Sequence, residues 1–202
     1  MGELGPLVGE PLALDLVNTR ARLPDQEFDF LADLAAMRHW LSCEQDLPAH
    51  GRLTTVAESH LRSPTRADLE AVRDLRDHAA SAIARARRGD PPATRDLRAI
   101  NDAMRAAPLR RELVRDGEGR PRLSVAHDGP RGTRIAAALA ESVAELLADE
   151  RVETVRNCEA DFCILLFLPA HPRRRWCNPA ICGNRVRVAR FHERRRSRSG
   201  QS

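Results

Sequence analysis

The chain of 202 residues contains no lysine and no tyrosine, so all 33 of its basic residues are arginine. GC-rich codons produce that bias, which makes it a genomic property before it is a functional one. No stretch approaches the roughly 18 to 20 consecutive apolar residues that crossing a bilayer requires, which excludes a transmembrane protein. The first residues, Met1-Gly2-Glu3-Leu4-Gly5-Pro6, lack the basic and apolar regions of a secretory signal, so the expected location is the cytoplasm. Also missing are a Gly-rich phosphate loop, an HExxH metal pair, a GxSxG nucleophile elbow and any converging acid, base and nucleophile set. The chain is therefore expected not to be an enzyme. What it does have is 42% apolar residues, enough for a core that needs no covalent staples.

The net charge of +4 conceals a division near residue 150. Residues 1–150 carry 21 Arg against 25 acidic residues, whereas residues 151–202 carry 12 Arg against 4. Nearly all the positive field thus sits on the C-terminal quarter. Such asymmetry suggests a polyanion-binding module on a neutral or acidic body, and a solvated basic tail gives the same arithmetic.

In the body, Pro11 to Thr19 reads as either a short strand or a single helical turn. A helical period over Phe28–Cys43 is carried by Leu31, Leu34, Met37 and Leu41 with Trp40 beside them, and Pro48 follows it. Thr65-Arg66-Ala67-Asp68 resembles a capping box with Asp in place of Glu, opening a stripe of Leu69, Val72, Leu75, Ala79, Ile83 and Ala86. Gly89-Asp90-Pro91-Pro92 breaks that helix, and Leu97, Ile100 and Met104 mark another that stops before Pro108. Glu112–Arg115 and Arg122–Val125, around the turn Asp116-Gly117-Glu118-Gly119, predict a β-hairpin. A last helix presents Ile135, Leu139, Val143, Leu146 and Leu147.

The stripes are most economically core faces. Asp15, Asn18 and Thr19 form a candidate ligand pocket, against the simpler reading of a helix cap or turn. His39, His50, His60, His78 and His127 are scattered without ligand spacing, and Cys43 reads as a small buried hydrophobe.

Four of the five cysteines, Cys158, Cys163, Cys177 and Cys182, form the pattern C-x4-C-x13-C-x4-C. In a reducing compartment two close thiolate pairs separated by a loop suit one tetrahedral Zn²⁺ rather than two disulfides. Four cysteines fill the shell and leave no open position for water, which points to a structural ion, with His171 and His192 as bystanders or substitutes for a cysteine. A module this small has only a minimal core from Phe162, Ile164, Leu165, Leu166, Phe167, Trp176 and Phe191, so zinc is expected to be essential to its fold. Zinc with four thiolates carries a formal charge of about −2, which leaves the loaded segment strongly basic.

Arg173, Arg174 and Arg175 precede Trp176-Cys177, and Arg185, Arg187, Arg190, Arg194, Arg195, Arg196 and Arg198 follow Cys182-Gly183-Asn184. A helix from Gly183 to Arg196 would place Arg187, Arg190 and Arg194 on one stripe. Val188 and Phe191 would then pack back on the zinc core, leaving the stripe to approach phosphates or enter a major groove. Arg198 to Ser202 reads as a solvated, disordered tail.

Arg174-Arg175-Trp176-Cys177 followed by Cys182-Gly183-Asn184-Arg185, after an earlier cysteine pair, resembles the CGNR zinc finger family, with Phe167 where that family has an aromatic strand residue. Leu168-Pro169-Ala170-His171-Pro172 departs from the family's longer and more polar turn. The body, with Leu14-Asp15-Leu16-Val17-Asn18-Thr19 and its helical stripes, is similar to the ABATE domain that commonly precedes this finger. The resemblance implies a bacterial stress-related transcription regulator with the four cysteines as zinc ligands and duplex DNA as partner. Arg174, Arg175, Asn184, Arg185, Arg187, Arg190 and Arg194 are the candidate DNA contacts. The body would sense a small-molecule effector or form a homodimer.

The expected fold class is α+β, with a mainly helical N-terminal domain carrying a short β-hairpin (residues 1–150) and then a small four-cysteine zinc-finger domain with a basic C-terminal helix (residues 151–202). Two other functions compete with DNA binding. An RNA-binding module would need stacking aromatics, for which Trp176 and Phe191 are the candidates, both expected in the core. A zinc-dependent protein-interaction adaptor would show weak DNA binding with little salt dependence.

Overall fold

A computed structural model describes residues 8–23, 26–47 and 53–199, with the side chains of residues 23 and 193–199 excepted. The segment Pro11–Thr19 resolves as helix α1 (Leu12–Val17), five of whose six residues are buried. A hairpin that the apolar pattern does not announce comes next, β1 (Arg20–Leu23) paired antiparallel with β2 (Gln26–Asp29). The helix expected from Phe28 therefore starts later, as α2 (Leu34–Gln45). Asp33 decides the start, since its carboxylate accepts from Ala36 N at 2.8 Å, while Phe28 stacks on Phe30 at 6.2 Å on the extended side of that cap. Pro48 and His50 lie outside the described residues. A short α3 (Glu58–Arg62), also unforeseen, leads to α4 (Arg66–Ala86).

Both arms of the capping box at Thr65 and Asp68 are made, and α4 runs 21 residues to the break at Gly89, whose φ of 76° suits a residue without a Cβ. Helix α5 (Thr94–Ala106) buries Ile100 but leaves Leu97 40% exposed, so its apolar face is narrower than its sequence pattern. The expected hairpin is longer than its sequence signal, with β3 (Leu109–Arg115) paired to β4 (Pro121–His127). Gly129 lets the chain return from β4 closely enough to touch α5, for a Cβ there would lie 2.5 Å from Ala106 O.

Helix α6 (Arg134–Ala148) is the centre of the body. It packs against α1, α4 and α5, and every residue from Ile135 to Ala140 is buried. The four alanines in that run let neighbouring helices approach closely, while Ile135, Leu139 and Val143 supply burial worth about 1.5–3 kcal/mol each. No helix among the described residues is long and apolar enough to cross a membrane.

Two polar clusters, each built around one buried charged side chain, help tie the helices together. Arg76 of α4 is 2% exposed and grips the Asp29 carboxylate with both Nη atoms, at 2.5 and 3.0 Å, while Nη1 also donates to Thr19 Oγ1 at 3.0 Å. Asp96 of α5 accepts from Ser81 Oγ at 2.6 Å and lies 2.8 Å from His78 Nδ1. In both aspartates burial pushes the carboxyl pKa up, but the hydrogen bonds, led by Arg76 for Asp29 and by His78 for Asp96, outweigh it and hold the group below its usual value. A folded-state pKa below the unfolded one gives stability that is complete above about pH 4 and lost as pH falls through the folded value. The melting temperature should accordingly hold from neutral pH to about pH 5 and drop below pH 4, and a calorimetric pH series on Asp29→Asn with Asp96→Asn should flatten that drop.

The chain leaves α6 through a short helix, Glu150–Thr154, and enters the C-terminal region by β5 (Arg156–Asn157), paired with β6 (Leu166–Phe167). The apolar core does not end at residue 150. Val152, Val155, Leu165 and Leu166 belong to the same cluster as the helices of the body. Helix α7 (Asn184–Ser199) closes the described chain. It includes Arg198 and Ser199, which the sequence pattern places in a disordered tail; residues 200–202 lie outside the described residues.

Candidate metal centre and nucleic-acid interface

Cys158 follows β5, and a turn closed by Cys163 N–H to Ala160 O at 2.8 Å brings Cys163 back beside it. The second pair is joined by a wide helical turn, Pro179–Gly183, capped by Asn178, whose Oδ1 accepts from Ala180 N at 2.9 Å and Ile181 N at 3.1 Å. Cys182 N–H returns to Asn178 O at 2.9 Å, so the four intervening residues amount to one turn that brings Cys177 and Cys182 to the same side. A gap wider than the usual two-residue knuckle thus serves the same end.

The four sulfurs lie within 4.8 Å of one another, with Cys163 to Cys177 at 3.8 Å and Cys177 to Cys182 at 3.6 Å. Those separations are far beyond an S–S bond of about 2.05 Å. They match the edge of a tetrahedron with Zn–S bonds of about 2.3 Å, which is about 3.8 Å. Main-chain N–H groups of Ala160 and Leu165 point at Cys158 and Cys163 and favour the thiolate form. Hydrogen bonds from the neighbouring thiols, Cys163 first, draw Cys158 down, while Cys158 as acceptor drives Cys177 and Cys182 up. Four sulfurs this close cannot all hold negative charge alone, and a dication is what allows it. The cluster is the site of one structural zinc ion.

No histidine joins the cluster among the described residues. His171 Nδ1 accepts from Arg173 N at 3.1 Å, and His192 packs edge-on against Phe191 at 5.7 Å. Around the sulfurs, Phe162, Trp176, Ile181 and Val186 pack with Cys158, Ala160 and Cys182 in a cluster distinct from that of the body. Gly183 has a steric reason to be glycine, since a Cβ there would lie 3.2 Å from Trp176 Cε3. Its neighbour Asn184 ties α7 to the wide turn, with Nδ2 donating to Ala180 O at 2.8 Å and Oδ1 accepting from Arg187.

The ABATE family model, described as "Putative stress-induced transcription regulator", matches residues 10–150, and the CGNR zinc finger model matches residues 154–195. The chain belongs to the ABATE family. Its C-terminal part is a CGNR zinc finger, in the order expected from RRWC and CGNR. No protein of curated function matches the chain.

The arginines of the finger separate into two kinds. Arg174 faces inward. Its Nε donates to Trp176 O at 3.1 Å, its Nη atoms reach Leu168 O, Cys177 O and Glu10, and its guanidinium lies 4.6 Å over the Phe167 ring. With its guanidinium committed to these groups, Arg174 fastens the finger to the ABATE body. Arg175 is half-exposed, paired with Glu159 at 2.5 Å and lying over Trp176 at 5.5 Å. Arg185 sits 5.9 Å from the Phe162 ring, and Arg187 and Arg190 are exposed on α7. The Arg194 side chain lies outside the described ones.

Val188 and Phe191 do not pack back on the zinc cluster. They are 55% and 50% exposed, because α7 docks through Val186 and the Pro179–Gly183 turn and then projects away.

Asp15, Asn18 and Thr19 come together near the end of α1, but they are turned to protein groups. Asp15 is 1% exposed and accepts from Gly9 N at 2.8 Å and Glu10 N at 3.1 Å; Thr19 Oγ1 donates to Leu16 O at 2.7 Å. Asn18 Nδ2 donates to Leu166 O at 2.9 Å and its Oδ1 accepts from Leu166 N at 2.9 Å, a two-bond clasp on the strand of the finger. None of the three lines a described cavity. Asn18 and Glu10, whose carboxylate also accepts from Leu168 N at 2.9 Å, are residues whose joining role sequence reasoning missed. Their partners lie 148 and more residues away, beyond any local pattern. Cys43 is half-buried and burial pushes its thiol pKa up, which suits an inert side chain.

Proposed function

We propose that this protein is a transcription regulator that binds duplex DNA through α7 of its CGNR finger. The observation that carries the reading is the setting of α7. From Arg187 to His192 every side chain is exposed, on a helix of 16 residues, about 24 Å long, whose first turn is anchored on the Pro179–Gly183 turn. A projecting basic helix of this length fits a major groove, where Arg187 and Arg190 meet phosphates or guanine edges while Val188 contacts thymine methyls. Arg175, Arg185 and Asn184 at its base would steady the approach.

The zinc serves the fold and not catalysis in this reading, because four cysteines leave no open coordination position, and the chain acts without enzymatic chemistry. Its place is the cytoplasm, on the nucleoid when DNA is bound. The ABATE body then receives a signal, from a small effector or from pairing of two copies. A cleft of about 600 Å³ supports the first, since it is lined by Glu141 and Glu145 of α6 and also by Leu168 at the end of the finger strand.

Affinity for duplex DNA measured across salt concentrations tests the proposal. With about 4 to 6 phosphates neutralised, log K should fall with log[salt] at a slope near −4 to −5. Arg187→Ala and Arg190→Ala should each reduce the slope by about 1 with zinc retained, and a flat salt dependence would remove the DNA reading. A single-stranded RNA competitor belongs in the same experiment. The half-exposed Phe191 beside Arg187 and Arg190 is the kind of stacking surface that an RNA partner would use.

A further inference from the structure

The β3–β4 hairpin stands out from the body with an apolar face uncovered. Leu113 and Leu123, opposite each other in the register, are 72% and 49% exposed. A two-stranded sheet so placed is marginal alone and gains from added strands. The hydrogen-bond phase of the hairpin shows which edge is open. Asp116 N–H donates to Arg120 O at 2.9 Å and Asp128 N–H to Pro108 O at 3.0 Å, so the even-numbered residues form the bonded pairs inside the hairpin. The main-chain groups of the odd-numbered residues therefore point outward.

On the outer edge of β4 these are Pro121, Leu123, Val125 and His127. Pro121 has no N–H, and that of His127 is taken by Thr55 O at 3.0 Å. What remains between them is the N–H and C=O of Leu123 and Val125, which pair with no other strand among the described residues. The geometry points to a homodimer in which the β4 edges of two copies pair antiparallel about a twofold axis through Ser124.

In this register both open N–H groups of each edge find a carbonyl, and the apolar side chains fall opposite each other. Leu123 of each copy faces Val125 of the other, which closes four main-chain hydrogen bonds. The next positions outward set Pro121, which has no N–H, against His127, whose N–H is already taken by Thr55 O, so the ladder ends at Leu123 and Val125. Side chains agree with the backbone. Leu123 lies beside Val125 of the other copy on the apolar face, Arg122 beside Ala126, and Ser124 beside Ser124. The outer edge of β3 excludes the same arrangement, because its central registers oppose Arg111 with Arg111, Glu112 with Glu112, or Arg111 with Arg115. Such charges protect an edge, and β4 carries none between Leu123 and Ala126. A four-stranded sheet across the axis would set the spacing of the two α7 helices.

The inference rests on giving the ABATE body the pairing role named above, and it is read independently of DNA. Sedimentation of the full zinc-loaded chain over a wide micromolar range should show the mass rising toward twice the monomer. Leu123→Asp, at an exposed position, should stay monomeric and melt like the native chain diluted to its monomer. In a Cys43→Ser background, Ser124→Cys should form an interchain disulfide on mild oxidation, since directly opposed non-bonded pairs stand about 4.5 Å apart at Cα. Glu112→Cys, on β3, should not. A native chain monomeric at every concentration together with no Ser124→Cys cross-link would overturn the pairing, as would a dimer indifferent to Leu123→Asp that fails to cross-link. DNA affinity of the same samples, measured separately, reports on α7: a monomer that binds DNA sinks the pairing alone, and a dimer that ignores DNA sinks the DNA reading alone.

Discussion

Replacing Cys177 with serine, or removing zinc with a chelator, is expected to unfold the finger and to lower the melting temperature of the whole chain. The first half follows from the small size of the finger's own cluster, in which three apolar residues among the described ones are buried, Cys158, Ala160 and Cys182. Two of those are ligands, so packing without the ion has little to hold together. Binding of a structural zinc supplies on the order of 10–16 kcal/mol at neutral pH, more than the finger's core could replace. The second half follows from the seam. Leu165 and Leu166 sit in the core of the ABATE body at 2% and 9% exposure, and Phe167 is fully buried beside them. Releasing the strand that carries them strips several large side chains from that core, at about 1.5–3 kcal/mol each. Metal content, helical signal and thermal unfolding of the Cys177→Ser chain check this together. Retention of stoichiometric zinc and a native melting curve would remove Cys177 from the ligand set.

Asn18→Ala is expected to cost about 2–4 kcal/mol, a large effect for one uncharged side chain. The amide holds both main-chain groups of Leu166 at a buried position, and alanine would leave the N–H and the C=O without this partner. The loss should appear in urea unfolding and as faster amide exchange at Leu166. Arg174→Ala should act on the same seam, weakening DNA binding only as far as it loosens the finger, whereas Arg187→Ala should weaken binding at unchanged stability. A change below about 0.5 kcal/mol for Asn18→Ala would mean that the clasp is incidental to the joint.

The long stripes were readable because they are local. From Leu69 to Ala86 every third or fourth residue is apolar, and the box at Thr65 and Asp68 fixes the start, so α4 has its observed bounds in all but one or two residues. Helix α6 is equally plain. The β1–β2 hairpin was not, because Leu31 fits both the stripe of α2 and a turn before it; only the Asp33 cap separates the two. Val188 and Phe191 misled for a related reason. Apolar residues on a helix promise a place in the core, and the direction in which α7 leaves the wide turn, away from the cluster, leaves them half-exposed.

By itself the sequence determined the zinc site, the order of body and finger, and the concentration of arginine in the last quarter of the chain. Ligand type, spacing and charge are written along the chain, and a tetrahedral ion accepts few other arrangements. Only the tertiary structure decided which arginines are available and where the two parts are fastened. Arg174 and Arg187 are alike as letters; one is spent on Glu10 and on carbonyls around Cys177, and the other stands in solvent. Asn18, read from its neighbours, is a residue at the end of a short helix, and the strand it holds arrives from 148 residues further on. Contacts that distant are set by how layers pack, which no local period records.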